Sequence, residues 1–104
     1  MVQERGGNGS CLKSDVTKET QCEAIAKGCI ERYGRIDVLH NNVGIALNDS
    51  GPTKVTETVW DGIFNANIKS IMFTCKHVLP IMRKQKSGAI INISSIAAIC
   101  EMGL

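Results

Sequence analysis

Two short apolar runs constrain this chain more than anything else in it: IDVL at 36–39 and AIINI at 89–93. Each follows closely on a glycine and empties into polar residues, HNNVG after the first and SS after the second. Runs this short, with little polar alternation, read as strands covered on both faces, the habit of a parallel sheet. Parallel neighbours need a crossover, usually a helix. The intervening sequence supplies one. Thr56 suits an N-cap, and a helix is expected from about residue 58 to 86, ended by Gly88. Its inward stripe reads Trp60, Ile63, Phe64, Asn67, Ile71, Cys75, Val78 and Met82, with Pro80 on the far side, where it should bend the helix. Residues 46–52 read as loop.

The same alternation extends towards the N-terminus. Cys11 to Asp15 reads as a further strand, with Thr17 as the cap of a helix and Glu19 in its first turn. Cys22, Ile25, Ala26, Cys29, Ile30 and Tyr33 then mark one helical face, and Gly34 is placed to stop it. Strand, helix, strand, helix, strand is the pattern of an α/β layer.

Composition narrows the partners. A net charge of +2 over 104 residues gives no ground for nucleic-acid or membrane binding. The opening MVQERGGNGS has no apolar core of the kind a secretory signal carries, and no apolar run is long enough to span a bilayer. Five cysteines show neither paired nor zinc-like spacing with His40 and His77, so no metal is expected and a reducing, cytoplasmic setting is. GGNG at 6–9 lacks the Gly-Lys-Ser/Thr ending of a phosphate loop, and no G-x-S-x-G surrounds Ser94 or Ser95.

Chemistry concentrates at four places. Asp15, HNNVG and Ser94/Ser95 each stand at the carboxyl end of an expected strand, where open α/β sheets bind ligands. Asn67 is a polar residue in the middle of an apolar face, and a buried amide is costly unless hydrogen-bonded. It either satisfies a local irregularity of the helix backbone or points into a site beside the sheet; spacing leaves both open.

SDVT (Asp15, Val16), NNVG at 41–44, NANIKS (Asn67) and INISS (Ser95) occur in order, 25 residues from Asn42 to Asn67 and 28 more to Ser95. In this the sequence resembles the middle of a short-chain dehydrogenase/reductase, an NAD(P)-dependent family with a Rossmann-like, doubly wound parallel sheet. The resemblance covers almost the whole chain. It implies an incomplete sheet made of the third to fifth strands and their helices. It also implies that Asp15 bonds the adenine amino group with the Val16 backbone beside it, and that Asn42, Val43 and Gly44 line the adenosine side. Valine stands at 43 where the family usually has alanine. Ser95 would donate a hydrogen bond to the substrate oxygen, and Asn67 would hold a water in a proton relay.

The resemblance also sets expectations for what residues 1–104 lack. The family's glycine-rich turn and its Tyr-x-x-x-Lys pair have no counterpart here, since no tyrosine or lysine follows Ser95 and Tyr33 belongs to the first helix. The chain is therefore expected to be a partial NAD(P)-binding domain with little activity alone, and to be unstable, rearranged or oligomeric by itself. The activity implied is interconversion of an alcohol and a carbonyl, with NAD or NADP as cofactor, in a homo-oligomer of full-length subunits. The alternative is a truncated, non-catalytic binding protein that joins longer subunits through the helix at 58–86, whose outer side is expected to carry Met72 and Phe73.

Overall fold

The computed structural model describes residues 2–46 and 51–95. In chain order it holds α1 (Glu19–Tyr33), β1 (Val38–Asn41), α2 (Glu57–Phe64), a π-helical turn (Asn65–Lys69), α3 (Ser70–Gln85) and β2 (Ala89–Asn92).

β1 and β2 pair in parallel, from Val38 opposite Ala89 to Asn41 opposite Asn92. Backbone bonds extend the pairing at both ends, Ala89 N–H to Asp37 C=O at 2.9 Å and Ile93 N–H to Asn41 C=O at 3.0 Å. The expected strand at Cys11–Asp15 does not form. A strand needs a neighbour to take its ladder bonds, and no strand lies beside this segment among the described residues. The two strands are also covered on one face only. Leu39 and Ile90 pack on a core of Ala26, Ile36, Val78 and Met82 beneath α1 and α3. Val38, His40, Ala89 and Ile91 lie exposed on the opposite face.

α1 stops as its sequence requires: Gly34 adopts φ 79°, and its N–H donates to Ile30 C=O at 2.8 Å. Its start differs from expectation. Lys18 is the N-cap, because Thr17 turns both its N–H and its hydroxyl onto Asp15 Oδ1. At the other helix Thr56 does cap, its Oγ1 accepting from Val59 N–H at 3.3 Å. The far end comes at Lys86, in the left-handed region at φ 56°, rather than at Gly88.

The π turn rearranges the expected stripe. One inserted residue rotates everything on one side of it by about 100° relative to the other. The buried line is consequently Ala66, Ser70, Thr74, Val78 and Met82. Trp60 and Phe64, expected inward, are 52% and 44% exposed and stack on each other at 4.6 Å. Phe73, expected outward, is buried, while Met72 is exposed as anticipated.

Glu19 fastens α1 to α3 by accepting from Lys76 Nζ and from His77 Nε2 at 3.3 Å. The Lys76 ammonium, chiefly, holds the Glu19 carboxyl below its ordinary 4.5. A carboxyl depressed in the folded state adds stability above its unfolded pKa and loses it as pH falls through the folded one. The urea midpoint should thus drop on acidification below pH 4.5. Glu19→Gln should flatten part of that drop, a modest part because the pair is solvent-exposed. Superimposable pH profiles for the two proteins would show the contact to be energetically silent.

Candidate functional site

Because β1 and β2 are parallel, their carboxyl ends lie side by side, and the segments leaving them begin as neighbours. Asn42, Val43 and Gly44 leave β1; Ser94 and Ser95 leave β2. All five are exposed. Below the first segment is a cavity of about 140 Å³, walled by Val16, Ile25, Leu39, Asn42, Val43 and Thr74 among others. Three of the residues singled out by sequence, Val16, Asn42 and Val43, therefore share one space. Gly44 does not line it, but a Cβ there would meet nothing within 4 Å, so its backbone is open to approach. Ser95 is not among the cavity's walls.

Asp15 precedes Val16 on an ordered turn. Its Oδ1 accepts from Thr17 N–H at 2.9 Å and from the Thr17 hydroxyl at 2.6 Å, and its own N–H donates to Gln21 Oε1 at 2.6 Å. The Thr17 hydroxyl, then the Thr17 N–H, hold its carboxyl below the ordinary 3.8. Asp15 is thus an ionised acceptor at neutral pH, suited to an amino group on a ligand. Burial pushes the nearby Cys22 thiol up, with the charges of Asp15 and Glu19 adding to it, so Cys22 is an inert packing residue.

Asn67 combines the two readings its sequence position left open. It does sit in a backbone irregularity, the π turn. Its amide, however, is spent on the loop after β1: Oδ1 accepts from Ile45 N–H at 2.7 Å, and Nδ2 donates to Ile45 C=O at 2.8 Å. The side chain so imitates a neighbouring strand and holds the residue next to Gly44. One Nδ2 hydrogen and one Oδ1 lone pair remain beyond that pairing. Gln85 repeats the device at the other end of β1, accepting from Ile36 N–H at 3.0 Å and donating to Ile36 C=O at 2.7 Å.

Sequence reasoning assigned no role to three polar residues at this end of the sheet, Thr74 and, inside the quoted motifs, Asn41 and Asn92. The Thr74 hydroxyl donates to Asn41 Oδ1 at 2.7 Å, and Asn41 Nδ2 donates to Asn92 Oδ1 at 3.0 Å. The available signal was the asparagine at the last position of both strands, together with a threonine seven residues after Asn67.

These groups fit the adenosine half of a dinucleotide: an ionised acceptor at Asp15, an apolar cavity edged by amides, and open backbone at Gly44. Among the described residues no cluster of His, Cys, Asp or Glu could hold a metal ion, and no helix is long and apolar enough to cross a membrane.

Comparison with known proteins gives the family of the chain. The sequence profile described as short chain dehydrogenase matches residues 1–103. An uncharacterised oxidoreductase of Staphylococcus saprophyticus is 40% identical over 98 residues, 92% of this chain and 39% of that protein. A protein of Burkholderia xenovorans described as a short-chain dehydrogenase/reductase superposes with a TM-score of 0.90 at 36% identity, over 98% of this chain and 38% of the other. ElxO with NADP bound gives a TM-score of 0.82 at 39% identity, over 89% of this chain and 38% of its own. The chain spans about two-fifths of the length of the relatives it matches. Its strand pair and helices are a part of their Rossmann-like sheet. With one family's profile running from residue 1 to 103 and the fold of that family's members reproduced over it, the chain belongs to the short-chain dehydrogenase family.

Proposed function

We propose that this chain is the cofactor-side part of an NAD(P)-dependent oxidoreductase that interconverts an alcohol and a carbonyl on a small molecule. The observation that carries the proposal is the shared cavity of Val16, Asn42 and Val43 at the end of β1. Asp15 accepts from the adenine amino group, the Val16 backbone lies beside it, and Asn42–Gly44 form the adenosine wall. A bound NAD or NADP supplies the hydride acceptor or donor. Ser95 donates a hydrogen bond to the substrate oxygen as charge changes there. Asn67, with one amide hydrogen and one lone pair left over from its bonds to Ile45, holds a water of the proton path. Nothing in these residues selects the phosphorylated over the unphosphorylated ribose.

In its full-length form the enzyme is a homo-oligomer. The thiols of Cys11, Cys22, Cys29 and Cys75 are free, in keeping with the reducing cytoplasm. A second reading has support in the exposed line Trp60, Phe64, Ile68 and Met72, four residues apart along the helix. On that reading the chain binds longer subunits through this face without taking part in catalysis.

Titrating the isotope-labelled chain with NADP and with NAD, while following backbone amide shifts, separates the two. Shifts confined to Asp15–Val16 and Asn42–Gly44 are expected. A chain whose amides stay fixed at millimolar dinucleotide is not a cofactor-binding piece, and the interaction reading replaces the first.

A further inference from the structure

We propose that Thr74 and Asn92 are positioning residues that, through Asn41, fix the cofactor segment Asn42–Gly44 relative to the serine segment Ser94–Ser95. The inference rests on the functional reading above and adds to it the groups that hold its two halves in place.

The three side chains form one directed chain. Thr74 is 7% exposed on the inward line of α3, and its hydroxyl, the one donor of the side chain, points at Asn41 Oδ1 at 2.7 Å. The same hydroxyl lies 3.1 Å from Ile71 C=O, its helical alternative. Asn41 carries the chain across the sheet, from its Nδ2 to Asn92 Oδ1 at 3.0 Å. Asn41 and Asn92 are the last register pair of the two strands. Beyond them the backbone contributes one more bond, Ile93 N–H to Asn41 C=O.

Packing alone does not call for this arrangement. Valine has the shape of threonine and would fill the same place on α3. The backbone ladder fixes the two strands, but apolar contacts are non-directional and leave the side chains at the strand ends unoriented. A hydrogen-bonded chain with its donors and acceptors in fixed order orients them, and so fixes the rotamers of both asparagines. The location matches the purpose: Thr74 and Asn41 wall the same cavity as Val16, Asn42 and Val43. Misplacing reacting groups by an ångström costs about a hundredfold in rate, so the register of the two segments is where precision is needed.

The test uses the chain with Thr74→Val, Thr74→Ser, Asn92→Ala and the Thr74→Val/Asn92→Ala pair, read by backbone amide shifts and by the dissociation constant for NADP. Thr74→Val should move the amides of Ser94 as well as those of Asn42–Gly44, and Asn92→Ala should move the Asn42–Gly44 amides in turn. Thr74→Ser, which keeps the hydroxyl, should restore the native positions. NADP binding should weaken about tenfold in each single variant and no further in the pair, as for one shared hydrogen-bonded unit. Shifts in Thr74→Val that stop at β1, or losses that multiply to about a hundredfold in the pair, would overturn the proposal. Failure of the unaltered chain to bind NADP or NAD overturns the cofactor reading instead, and the amide shifts then decide the coupling by themselves. If Thr74→Val does not fold, Asn92→Ala, on an exposed residue, reads the same coupling from the other end.

Discussion

Met82→Ala is expected to cost about 2–5 kcal/mol, the usual range for truncating a long core side chain to alanine. Met82 is 6% exposed and belongs to a core cluster with Ala26, Ile36 and Val78. It stands where α3 comes over the segment leading into β2. Removing it takes packing from the helix, from α1 and from the start of a strand together. A chain of this size has few buried residues over which to spread the loss. Urea unfolding followed by helical circular dichroism reads the effect as a shift of the midpoint. A change under 1 kcal/mol would mean that the cluster is not what holds the helices to the sheet.

The same side chain explains Gly88. A Cβ built on Gly88 would come within 2.5 Å of Met82 Cγ and Sδ and 2.9 Å of its Cβ. The glycine is therefore there for close approach rather than for helix termination, which Lys86 performs. Gly88→Ala alone should destabilise. In the Met82→Ala background the Cγ and Sδ clashes are gone and only the Cβ contact is left, so its cost should fall by about 0.5–3 kcal/mol, the range seen for residues in contact. Equal costs in both backgrounds would remove Met82 as the reason for the glycine.

Much of this was legible in the sequence because local chemistry decides it. Gly34 at a left-handed position, Thr56 as a cap, and the short apolar runs at 36–39 and 89–93 each announce an element within a few residues. What the sequence concealed was non-local. The segment Cys11–Asp15 has strand-like composition, but strand formation depends on a partner, which no local signal reveals. The π turn was hidden for a different reason. Periodicity assumes a constant angle per residue, and a one-residue insertion keeps the apolar count while exchanging which residues face in. Trp60 and Phe64 went out, and Ala66, Ser70, Phe73 and Thr74 went in. At the candidate site, Val16, Asn42 and Val43, which motif order singled out, line one cavity. The motifs contain Asn41 and Asn92 but gave no sign of their link to each other or to Thr74, because a hydrogen-bond chain running from a helix across two strands has no sequence spacing of its own.

Asn67→Leu is expected to cost about 1–3 kcal/mol, since it takes the partner from both half-buried backbone groups of Ile45, each worth less than the roughly 1–3 kcal/mol of a fully buried polar group, and leucine buries some apolar surface in return. Ile45 N–H at 2.7 Å and Ile45 C=O at 2.8 Å have Asn67 in place of a neighbouring strand. Asn67→Asp separates the two bonds. The carboxylate still accepts from Ile45 N–H but faces Ile45 C=O with a second acceptor, so its folded pKa should rise above the unfolded value. Its protonated form donates again, so this variant should be most stable below the unfolded pKa and lose that stability as pH rises through the folded one. A residue serving only a proton path would show neither effect, because deleting a water ligand does not unfold a loop. Stability of both variants equal to the original at every pH would therefore return Asn67 to a purely chemical role. A loss in Asn67→Leu, with acid-dependent recovery in Asn67→Asp, makes the amide the clasp that holds the chain beside Gly44 where the cofactor segment begins.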